Sequence, residues 1–297
     1  MRLVTRGDLD GLTCASIITS NEDIAEILLI HPQDITDSRV EVRDTDILAN
    51  LPYHPKCAKW FDHHLQTENN PKAPEKFDGA YAHAPSAAGL VYDYYGGEER
   101  MPALAELVRQ TDRLDSAQLS REEIENPDDY ILLGYTIDGR TGLGDFESYF
   151  HLLVDLLKTQ SIGEILEHPE VKKRCERMRS ELATFRETLS AHSHVDGNVV
   201  ITDFRALDNV PSGNRFLIYA LYPDVNVSVR VHWGPGRRFA VAAIGHSILN
   251  RTCKTNVGEL VSRYGGGGHH RAGTTPIEPE RADATLAEIV EELKYNG

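Results

Sequence analysis

The stretch Lys59-Trp60-Phe61-Asp62-His63-His64 combines an apolar strand pattern with a strongly polar ending. Packing in a core explains an apolar run of this kind but not the acid and two histidines that follow it. Imidazole suits first-row divalent ions, and a neighbouring carboxylate can hold a ligating ring in one tautomer. Since consecutive residues of an extended segment point to opposite sides, one histidine could bind a metal and the other could reach a substrate. The alternative is a pair of surface histidines without a ligand.

The sequence on both sides of this stretch alternates short apolar runs with helical patterns. Four runs predict strands, at Leu3-Val4, Ile27–Ile30, Ile47–Leu51 and Ala58–Phe61. Two further patterns predict helices, at Leu12–Thr19 and Ser86–Tyr95. Such alternation is typical of the α/β class, with a mainly parallel sheet that helices cover on both faces. Because open parallel sheets have their sites at the carboxyl ends of the strands, the loops after these strands are the first candidates for chemistry.

The pattern changes twice further along the chain. A long helical pattern with charged faces extends from Asp145 to about His194, and strand patterns return after Asp196. Later strands are predicted at Val199–Ile201, Val225–Val231 and Phe239–Ile244, and later helices at Asn256–Arg263 and Ala284–Leu293. We therefore predict a mainly parallel, Rossmann-like domain at 1–144, a helical connector at 145–195 and a smaller α/β domain at 196–297.

A pair of aspartates follows the first predicted strand, in Thr5-Arg6-Gly7-Asp8-Leu9-Asp10-Gly11. Aspartates two positions apart in a turn can direct their oxygens to one point, as hard cations require, and the glycines permit a tight backbone path. The alternative is an N-cap and a loop acid without a ligand. A further acid, Asp112, follows a helical stretch and says little when it is taken alone.

The second domain contains the segment Tyr264-Gly265-Gly266-Gly267-Gly268-His269-His270-Arg271-Ala272-Gly273. Its four glycines expose backbone N–H groups next to two histidines and an arginine, so the segment could hold an anion. Glycine runs also occur as plain linkers, but a linker does not require His-His-Arg directly after it.

The charge of the chain is uneven. Residues 196–297 contain 11 basic and 11 acidic side chains, so the whole formal charge of −15 falls on residues 1–195. Since duplex DNA is bound largely through neutralised phosphates, such an acidic protein is not expected to bind it. Residues 230–271 contain seven basic side chains and one acid, a segment that could hold phosphate; the alternative is solvated surface.

Membrane and secreted classes are not expected either. No apolar run approaches the roughly 18 residues of a membrane span, and the N-terminal residues enter a strand pattern without a signal-peptide layout. The four cysteines lie far apart without a CxxC pair, which fits a reducing compartment. We expect a cytoplasmic protein.

Together these segments resemble the DHH phosphoesterase superfamily, which includes RecJ-type exonucleases, oligoribonucleotide and cyclic-dinucleotide phosphodiesterases, family II pyrophosphatases and exopolyphosphatases. Asp8-Leu9-Asp10-Gly11 resembles its first motif, Asp62-His63-His64 its third and Asp112 its fourth. Gly265–Gly273 resembles the GGGH-x-x-A-x-G signature of the accompanying DHHA1 domain, and Ser247–Arg251 resembles the residues before it. The motifs occur in the family's order over nearly the whole chain, and they favour the oligonucleotide-directed branch over the pyrophosphatases.

The resemblance implies a hydrolase that activates water with one or two divalent ions, usually Mn²⁺, with Mg²⁺ as the alternative. Asp10, His63 and Asp112 would bind one ion, and Asp8 would belong to the other. His64 and Asp62 are the implied catalytic residues, with His64 in contact with the phosphate. The implied substrate contacts of the second domain are Gly266, Gly267, Gly268, His269, His270, Arg271 and Arg251.

The sequence departs from the family pattern at two places. Relatives usually have a histidine or an aspartate shortly before the first aspartate, where this chain has Val4-Thr5-Arg6. Their second motif is a bridging aspartate, and Asn50, a neutral ligand, stands at that position here. Asp44 or Asp46 could replace it if the register differs, and a loop histidine, His54 or His83, could complete the site. One ion position therefore looks complete and the other depleted.

Two hypotheses about function follow. The leading one is a metal-dependent phosphoesterase that hydrolyses a small phosphorylated substrate, such as a short single-stranded oligonucleotide, a phosphoadenosine-type nucleotide or polyphosphate. The alternative is a degenerate protein of the same fold that binds a nucleotide or polyphosphate without hydrolysis. Neither duplex DNA nor a membrane is an expected partner, and a homodimer is left open.

Overall fold

The computed structural model describes residues 1–64, 72–137, 144–209 and 213–295. The chain divides into two compact units. The N-terminal unit comprises Met1–Gln118 and Pro127–Glu176, and the C-terminal unit comprises Leu119–Asn126 and Arg177–Gly297. Residues of the predicted connector at 145–195 therefore occur in both units.

The N-terminal unit is built on a five-stranded sheet. Its strands are β1 (Arg2–Thr5), β2 (Glu26–Leu29), β3 (Asp46–Ala49), β4 (Lys59–Asp62) and β5 (Gly79–Tyr81). They lie in the order β2-β1-β3-β4-β5, and all neighbours are parallel. Every residue of β1 and β3 is buried, as expected for central strands of a parallel sheet whose two faces are both covered. The predicted parallel sheet is confirmed.

Helices account for most of the remaining described residues. The α-helices are α1 (Leu9–Asn21), α2 (Pro32–Thr36), α3 (Ala87–Tyr94), α4 (Gly97–Arg100), α5 (Ala105–Asp115), α6 (Arg121–Glu125), α7 (Asp129–Thr136), α8 (Phe146–Thr159), α9 (Ile162–Glu167), α10 (Pro169–His192), α11 (Leu217–Leu221), α12 (Val257–Ser262) and α13 (Ala282–Tyr295). Single-turn 3₁₀ helices lie at Pro102–Leu104, Pro235–Arg237 and Pro279–Arg281. A helix that could cross a bilayer is not found in the described part of the chain, since none there is sufficiently long and apolar.

The strand order of the first sheet determines where a site can form. The chain passes from β1 to β2 on one side of β1 and then returns from β2 to β3 on its other side, and such a reversal of strand order opens a crevice at the carboxyl edge of a parallel sheet. The residues after β1, β3 and β4 emerge at this same edge. These residues include Asp8, Asn50 and His63.

The C-terminal unit contains a six-stranded mixed sheet. Its strands are β6 (Ser193–Asp196), β7 (Val199–Asp203), β8 (Val227–Trp233), β9 (Ala240–His246), β10 (Gly267–His269) and β11 (Ala272–Ile277). They lie in the order β10-β11-β9-β8-β7-β6, in which β7 and β8 are parallel and all other neighbours are antiparallel. Alternate residues of β8 are buried, which gives the strand one face for the core. The predicted second α/β domain is confirmed.

Candidate functional site

His63 lies directly after β4 and is held by one ring nitrogen. Its Nδ1 is 3.0 Å from the carbonyl oxygen of Ala84. A carbonyl oxygen can only accept a hydrogen bond, so Nδ1 carries a proton, and in the neutral ring Nε2 presents its lone pair. Nε2 is buried and has no hydrogen-bond partner among the described residues. The His63 ring is therefore oriented so that its Nε2 atom could bind a metal ion.

Two carboxylates lie next to this nitrogen. His63 Nε2 is 3.6 Å from Asp10 Oδ2 and 3.4 Å from Asp115 Oδ2. Among the described residues, Asp10, His63 and Asp115 form a group whose ligand atoms all lie within 4.8 Å of one another. An unprotonated nitrogen and two carboxylates at such distances repel one another unless a positive charge lies between them.

Asp10 is placed by the beginning of α3. Its Oδ2 accepts a hydrogen bond from Ala87 N at 3.0 Å and its Oδ1 from Ala88 N at 2.7 Å. The first N–H groups of a helix have no partner within the helix, and the helix dipole favours an anion there. Burial, together with the charges of Asp115 and Asp8, nevertheless raises the pKa of the Asp10 carboxyl well above its ordinary value. The carboxylate is thus well oriented but not electrostatically neutralised.

The structure differs from the sequence prediction at the fourth motif, because Asp115 and not Asp112 belongs to this group. The two aspartates lie three residues apart on α5 and so project in neighbouring directions. Asp112 Oδ1 accepts a hydrogen bond from Ser86 Oγ at 2.6 Å, and Ser86 also caps α3 by accepting from Gly89 N. Asp112 therefore contacts the residue that begins α3, whereas Asp115 reaches His63.

His64 points to a different environment from His63. Its Nδ1 is 2.9 Å from Asp62 Oδ1, and the same oxygen accepts from the backbone N–H groups of His63 and His64. Burial opposes the charged form of the ring, but the hydrogen bond and the charge of Asp62 outweigh it and raise the pKa of His64. Asp62 thus organises the turn and orients His64, whose Nε2 is the ring nitrogen left for another contact.

Asp8 and Asn50 lie beside each other at the ends of β1 and β3. Asn50 Nδ2 donates a hydrogen bond to Asp8 Oδ1 at 3.1 Å, and Arg6 Nε lies 3.1 Å from Asp8 Oδ2. Asn50 has a left-handed backbone, with φ of 58°, which asparagine tolerates better than most residues. Its Oδ1 is buried without a hydrogen-bond partner among the described residues.

The other candidates for the second motif lie elsewhere. Asp46 begins β3, at the opposite end of the strand from Asn50, and its carboxylate is paired with Arg2 at 2.6 Å. Asp44 is exposed before that strand. His83 is exposed, and the ring of His54 accepts from Lys56 N. Of the three candidates for the second motif, Asn50, Asp44 and Asp46, only Asn50 therefore lies at the carboxyl edge of the sheet.

The residues present fit a divalent cation. Two carboxylate oxygens and one imidazole nitrogen are a donor set that Mn²⁺ and similar first-row ions accept. His63 Nε2 is buried and unsatisfied, a state that is expensive without a proton or an ion. The carbonyl of Ala84 and the N–H groups of Ala87 and Ala88 orient the donors, as outer partners do at metal sites.

The glycine segment of the C-terminal unit forms an antiparallel hairpin. β10 pairs with β11, so that Gly268 lies opposite Gly273 and His269 opposite Ala272. A Cβ atom at Gly268 would lie 2.3 Å from the carbonyl oxygen of Ala272, so close strand pairing requires glycine there. Exposed side chains surround the turn of this hairpin, namely His269, His270 and Arg271, and Arg251 is also exposed.

Similarity of this chain to known proteins is found among solved structures. No model of a known protein family matches the sequence, and no curated protein matches it. A solved structure of PggH from Vibrio cholerae, described as a pGpG-specific phosphodiesterase, is 38% identical with a TM-score of 0.86, and the match covers 100% of this chain and 99% of PggH. A second solved structure, described as the DHH domain of a member of a family of ribosomal proteins, matches with a TM-score of 0.61 at 14% identity, over 99% of this chain and 86% of that protein.

The chain belongs to the DHH/DHHA1 phosphoesterase superfamily. The resemblance predicted from the sequence is thereby confirmed. RecJ from Thermus thermophilus, in complex with Mn²⁺, shares the fold at 13% identity with a TM-score of 0.56, and the match covers 98% of this chain and 52% of RecJ. The N-terminal unit is the DHH part of this arrangement, and the C-terminal unit, with its glycine hairpin, is the DHHA1 part.

Sequence reasoning missed several residues of the DHH site. Asp115 stands in the same segment as Asp112, and its spacing of three residues from Asp112 was the available signal. Ser86 was predicted at the start of a helix, and serine is a favoured N-cap, but nothing in the sequence connects α3 with Asp10. The contacts of Asp10 with Ala87 and Ala88 use backbone atoms, which leave no sequence signature.

Proposed function

We propose that this DHH/DHHA1 protein is a metal-dependent phosphodiesterase that hydrolyses a short linear dinucleotide of the pGpG type. The observation that carries the proposal is His63 Nε2, buried without a partner among the described residues between the carboxylates of Asp10 and Asp115. The whole-length likeness to PggH supports the choice of a dinucleotide over polyphosphate or a phosphoadenosine-type nucleotide.

The reaction adds one water across a phosphodiester. The water oxygen forms a bond to phosphorus, the bond from phosphorus to the 3′ oxygen breaks, and a proton passes to that leaving oxygen. For pGpG the products are two molecules of GMP. A divalent ion bound by Asp10, His63 and Asp115 would neutralise phosphoryl charge and lower the pKa of a water.

The residues of the DHH site have separate tasks in this proposal. Ala87 N and Ala88 N keep the Asp10 carboxylate in one orientation, and the Ala84 carbonyl keeps the proton of His63 on Nδ1. Asp62 holds His64 at Nδ1, so that Nε2 of His64 is the nitrogen that contacts a phosphoryl oxygen. Asp62 is then a positioning residue and His64 a catalytic one.

The DHHA1 hairpin is proposed to bind a phosphate group of the substrate. His269, His270 and Arg271 are exposed around its turn, and arginine can donate two parallel hydrogen bonds to a phosphate. Gly267 and Gly268 would contribute backbone N–H groups, and Arg251 a further positive charge. Gly266, which was also predicted as a substrate contact, already donates its N–H group to Val261 O at 2.9 Å. A terminal phosphate of the dinucleotide is the group that this set of donors would recognise.

A second candidate function is binding of the dinucleotide without hydrolysis. The observation that favours it is the ion pair of Arg6 with Asp8, next to the neutral Asn50, where the family pattern has ligands of a second ion. Under this alternative, the substrate would bind but no product would form in the presence of Mn²⁺.

One experiment distinguishes the two functions. The purified protein is incubated with Mn²⁺ and pGpG, with a pyrimidine dinucleotide and with polyphosphate, and the products are separated by ion-exchange chromatography. We expect conversion of pGpG to GMP, loss of turnover in His63→Ala, and no loss in His83→Ala, an exposed histidine outside the group. Binding of pGpG without GMP formation supports the second function, and hydrolysis of polyphosphate alone contradicts both.

A further inference from the structure

Both oxygens of Asp8 already have partners within the protein. Oδ1 accepts from Gly11 N at 2.9 Å and from Asn50 Nδ2 at 3.1 Å. Oδ2 forms an ion pair with Arg6 Nε at 3.1 Å. A cation that approached this carboxylate would therefore have to displace a guanidinium group and would meet the N–H side of an amide.

The group formed by Asp10, His63 and Asp115 has the opposite character. Asp10 is contacted by two backbone N–H groups, which leave lone pairs on each oxygen, and His63 Nε2 has no hydrogen-bond partner among the described residues. Within the described part of the chain, the charged atoms nearest to this nitrogen are the two carboxylates, and no arginine is paired with them as Arg6 is with Asp8. The crevice thus has one place that requires a cation and one that already contains a fixed positive charge.

Arg6 is placed to act on a substrate. Its side chain is about one third exposed, at 32%, and it is held through Nε. Its partner Asp8 follows β1 at the carboxyl edge of the sheet, so the guanidinium lies at this same edge. Arginine stays protonated under all ordinary conditions, and its terminal N–H groups form a rigid fork that matches phosphoryl oxygens.

From this arrangement, and on the basis of the proposed function, we infer that the site works with a single divalent ion and that Arg6 replaces a second cation by binding a phosphoryl oxygen of the substrate. Asn50 supports this role. Its N–H donor fixes Asp8, and Asp8 in turn fixes Arg6. An aspartate at position 50 would remove that donor and place two carboxylates side by side, an arrangement that needs an additional cation.

The first test counts ions. Mn²⁺ is titrated into the metal-free protein by isothermal calorimetry, and the number of ions is confirmed by metal analysis after gel filtration. We expect one ion in the wild type, one in Arg43→Ala, and two in the double variant Arg6→Ala/Asn50→Asp. Arg43 is the matched control because it is an exposed arginine just before β3, at the opposite end of that strand from Asn50.

The outcomes separate this inference from the proposed function. Two ions in the wild type overturn the inference and leave the proposed phosphodiesterase intact. No ion in the wild type overturns the proposed function as well. A double variant that still binds a single ion while it retains the wild-type circular dichroism spectrum contradicts the exclusion of a second ion by Arg6 and Asn50.

The second test concerns the substrate contact of Arg6. A hydrogen bond to a charged group is worth about 1.5–3 kcal/mol, so Arg6→Ala should lower kcat/KM for pGpG about 10- to 100-fold. The affinity for the first Mn²⁺ ion should be retained. Arg6→Lys should recover part of the loss, because it restores the charge but not the fork. An unchanged kcat/KM in Arg6→Ala would refute the contact.

Discussion

His63 Nε2 and Asp115 Oδ2 lie 3.4 Å apart, yet no hydrogen bond joins them. The carbonyl of Ala84 takes the proton of the other ring nitrogen, so an imidazole lone pair faces a carboxylate. Asp10 Oδ2 lies 3.6 Å from the same nitrogen. Asp10 and the Nε2 atom of His63 are buried and Asp115 is exposed, and these three electron-rich groups repel one another unless a positive charge lies between them. The contact therefore supports a metal ion rather than a structural ion pair.

The choice between Asp115 and Asp112 is directly testable. Asp115→Asn removes a charged donor of the proposed ion, and we expect at least about 100-fold weaker Mn²⁺ binding, beyond the ~10–100-fold typical of residues that only orient ligands. Asp112→Asn alters the contact with Ser86 rather than a donor of the ion, so it should weaken binding by a smaller factor than Asp115→Asn does. Calorimetric titration with Mn²⁺ measures both. The reverse order of the two variants would restore the assignment predicted from the sequence.

Mn²⁺ should stabilise the folded protein. A ligand at about 100 times its dissociation constant adds about 2.7 kcal/mol to the free energy of unfolding. Thermal melts recorded with EDTA and with Mn²⁺ should therefore differ, with the higher melting temperature in Mn²⁺. His63→Ala should abolish this difference, because it removes the nitrogen donor. An equal increase in the wild type and in His63→Ala would place the ion elsewhere.

Ser86→Ala should affect both stability and metal binding. Loss of an N-cap hydroxyl costs about 1 kcal/mol, and here it also loosens the helix start that holds Asp10. The matched control is Ser161→Ala, which removes the cap of α9 within the same unit. Both variants should lower the melting temperature, but only Ser86→Ala should weaken Mn²⁺ binding. Equal Mn²⁺ affinities in the two variants would argue against a role of α3 in placing Asp10.

Substitutions at the neighbouring residues Gly267 and Gly268 of the glycine hairpin should differ in their effect on stability. A Cβ at Gly268 would lie 2.3 Å from Ala272 O and 2.4 Å from Gly273 Cα, whereas a Cβ at Gly267 meets nothing within 4 Å. Overpacking of this kind costs about 1–3 kcal/mol, so Gly268→Ala should lower the free energy of unfolding while Gly267→Ala changes it little. Denaturant titration measures the difference. A destabilised Gly267→Ala would show that the segment needs glycine for backbone freedom instead.

Arg271 offers a test of the proposed DHHA1 contact. If it binds the terminal phosphate equally in the ground and transition states, Arg271→Ala should raise KM about tenfold and leave kcat nearly unchanged. Arg281→Ala is the control, since it removes another exposed arginine of the same unit. Steady-state kinetics with pGpG distinguishes the two variants. A fall in kcat alone would contradict a contact made before the transition state.

The alternation of apolar runs and helical patterns correctly predicted the two α/β domains. The four strands predicted before residue 62 correspond to β1, β2, β3 and β4, because each is a short apolar run bounded by polar residues. The strands β5, β6, β10 and β11 were not predicted. β6 contains polar residues, and β10 is mostly glycine, so neither shows the apolar alternation that marks a half-buried strand.

The residues within each motif are close in sequence. The types of these residues and the order of the motifs were sufficient to recognise the superfamily and to predict a site at the carboxyl edge of the sheet. The groups that orient these motif residues could not be predicted from the sequence. Asp10 is oriented by N–H groups 77 and 78 residues away, and His63 by a carbonyl 21 residues away. Backbone atoms occur in every residue, so no residue type signals such a contact.

Residue types and their order in the chain were thus enough to establish which chemical groups this protein has and on which sheet edge they emerge, because strand patterns and motif spacing are local properties. The tertiary structure decided which of these groups contact one another. It turned Asp115 rather than Asp112 towards His63, engaged Asp46 with Arg2 and paired Arg6 with Asp8. These contacts depend on the directions of side chains and on the distances between segments that are far apart in the chain. Differences of a few ångströms decide them, and the order of residues in a sequence does not contain such distances.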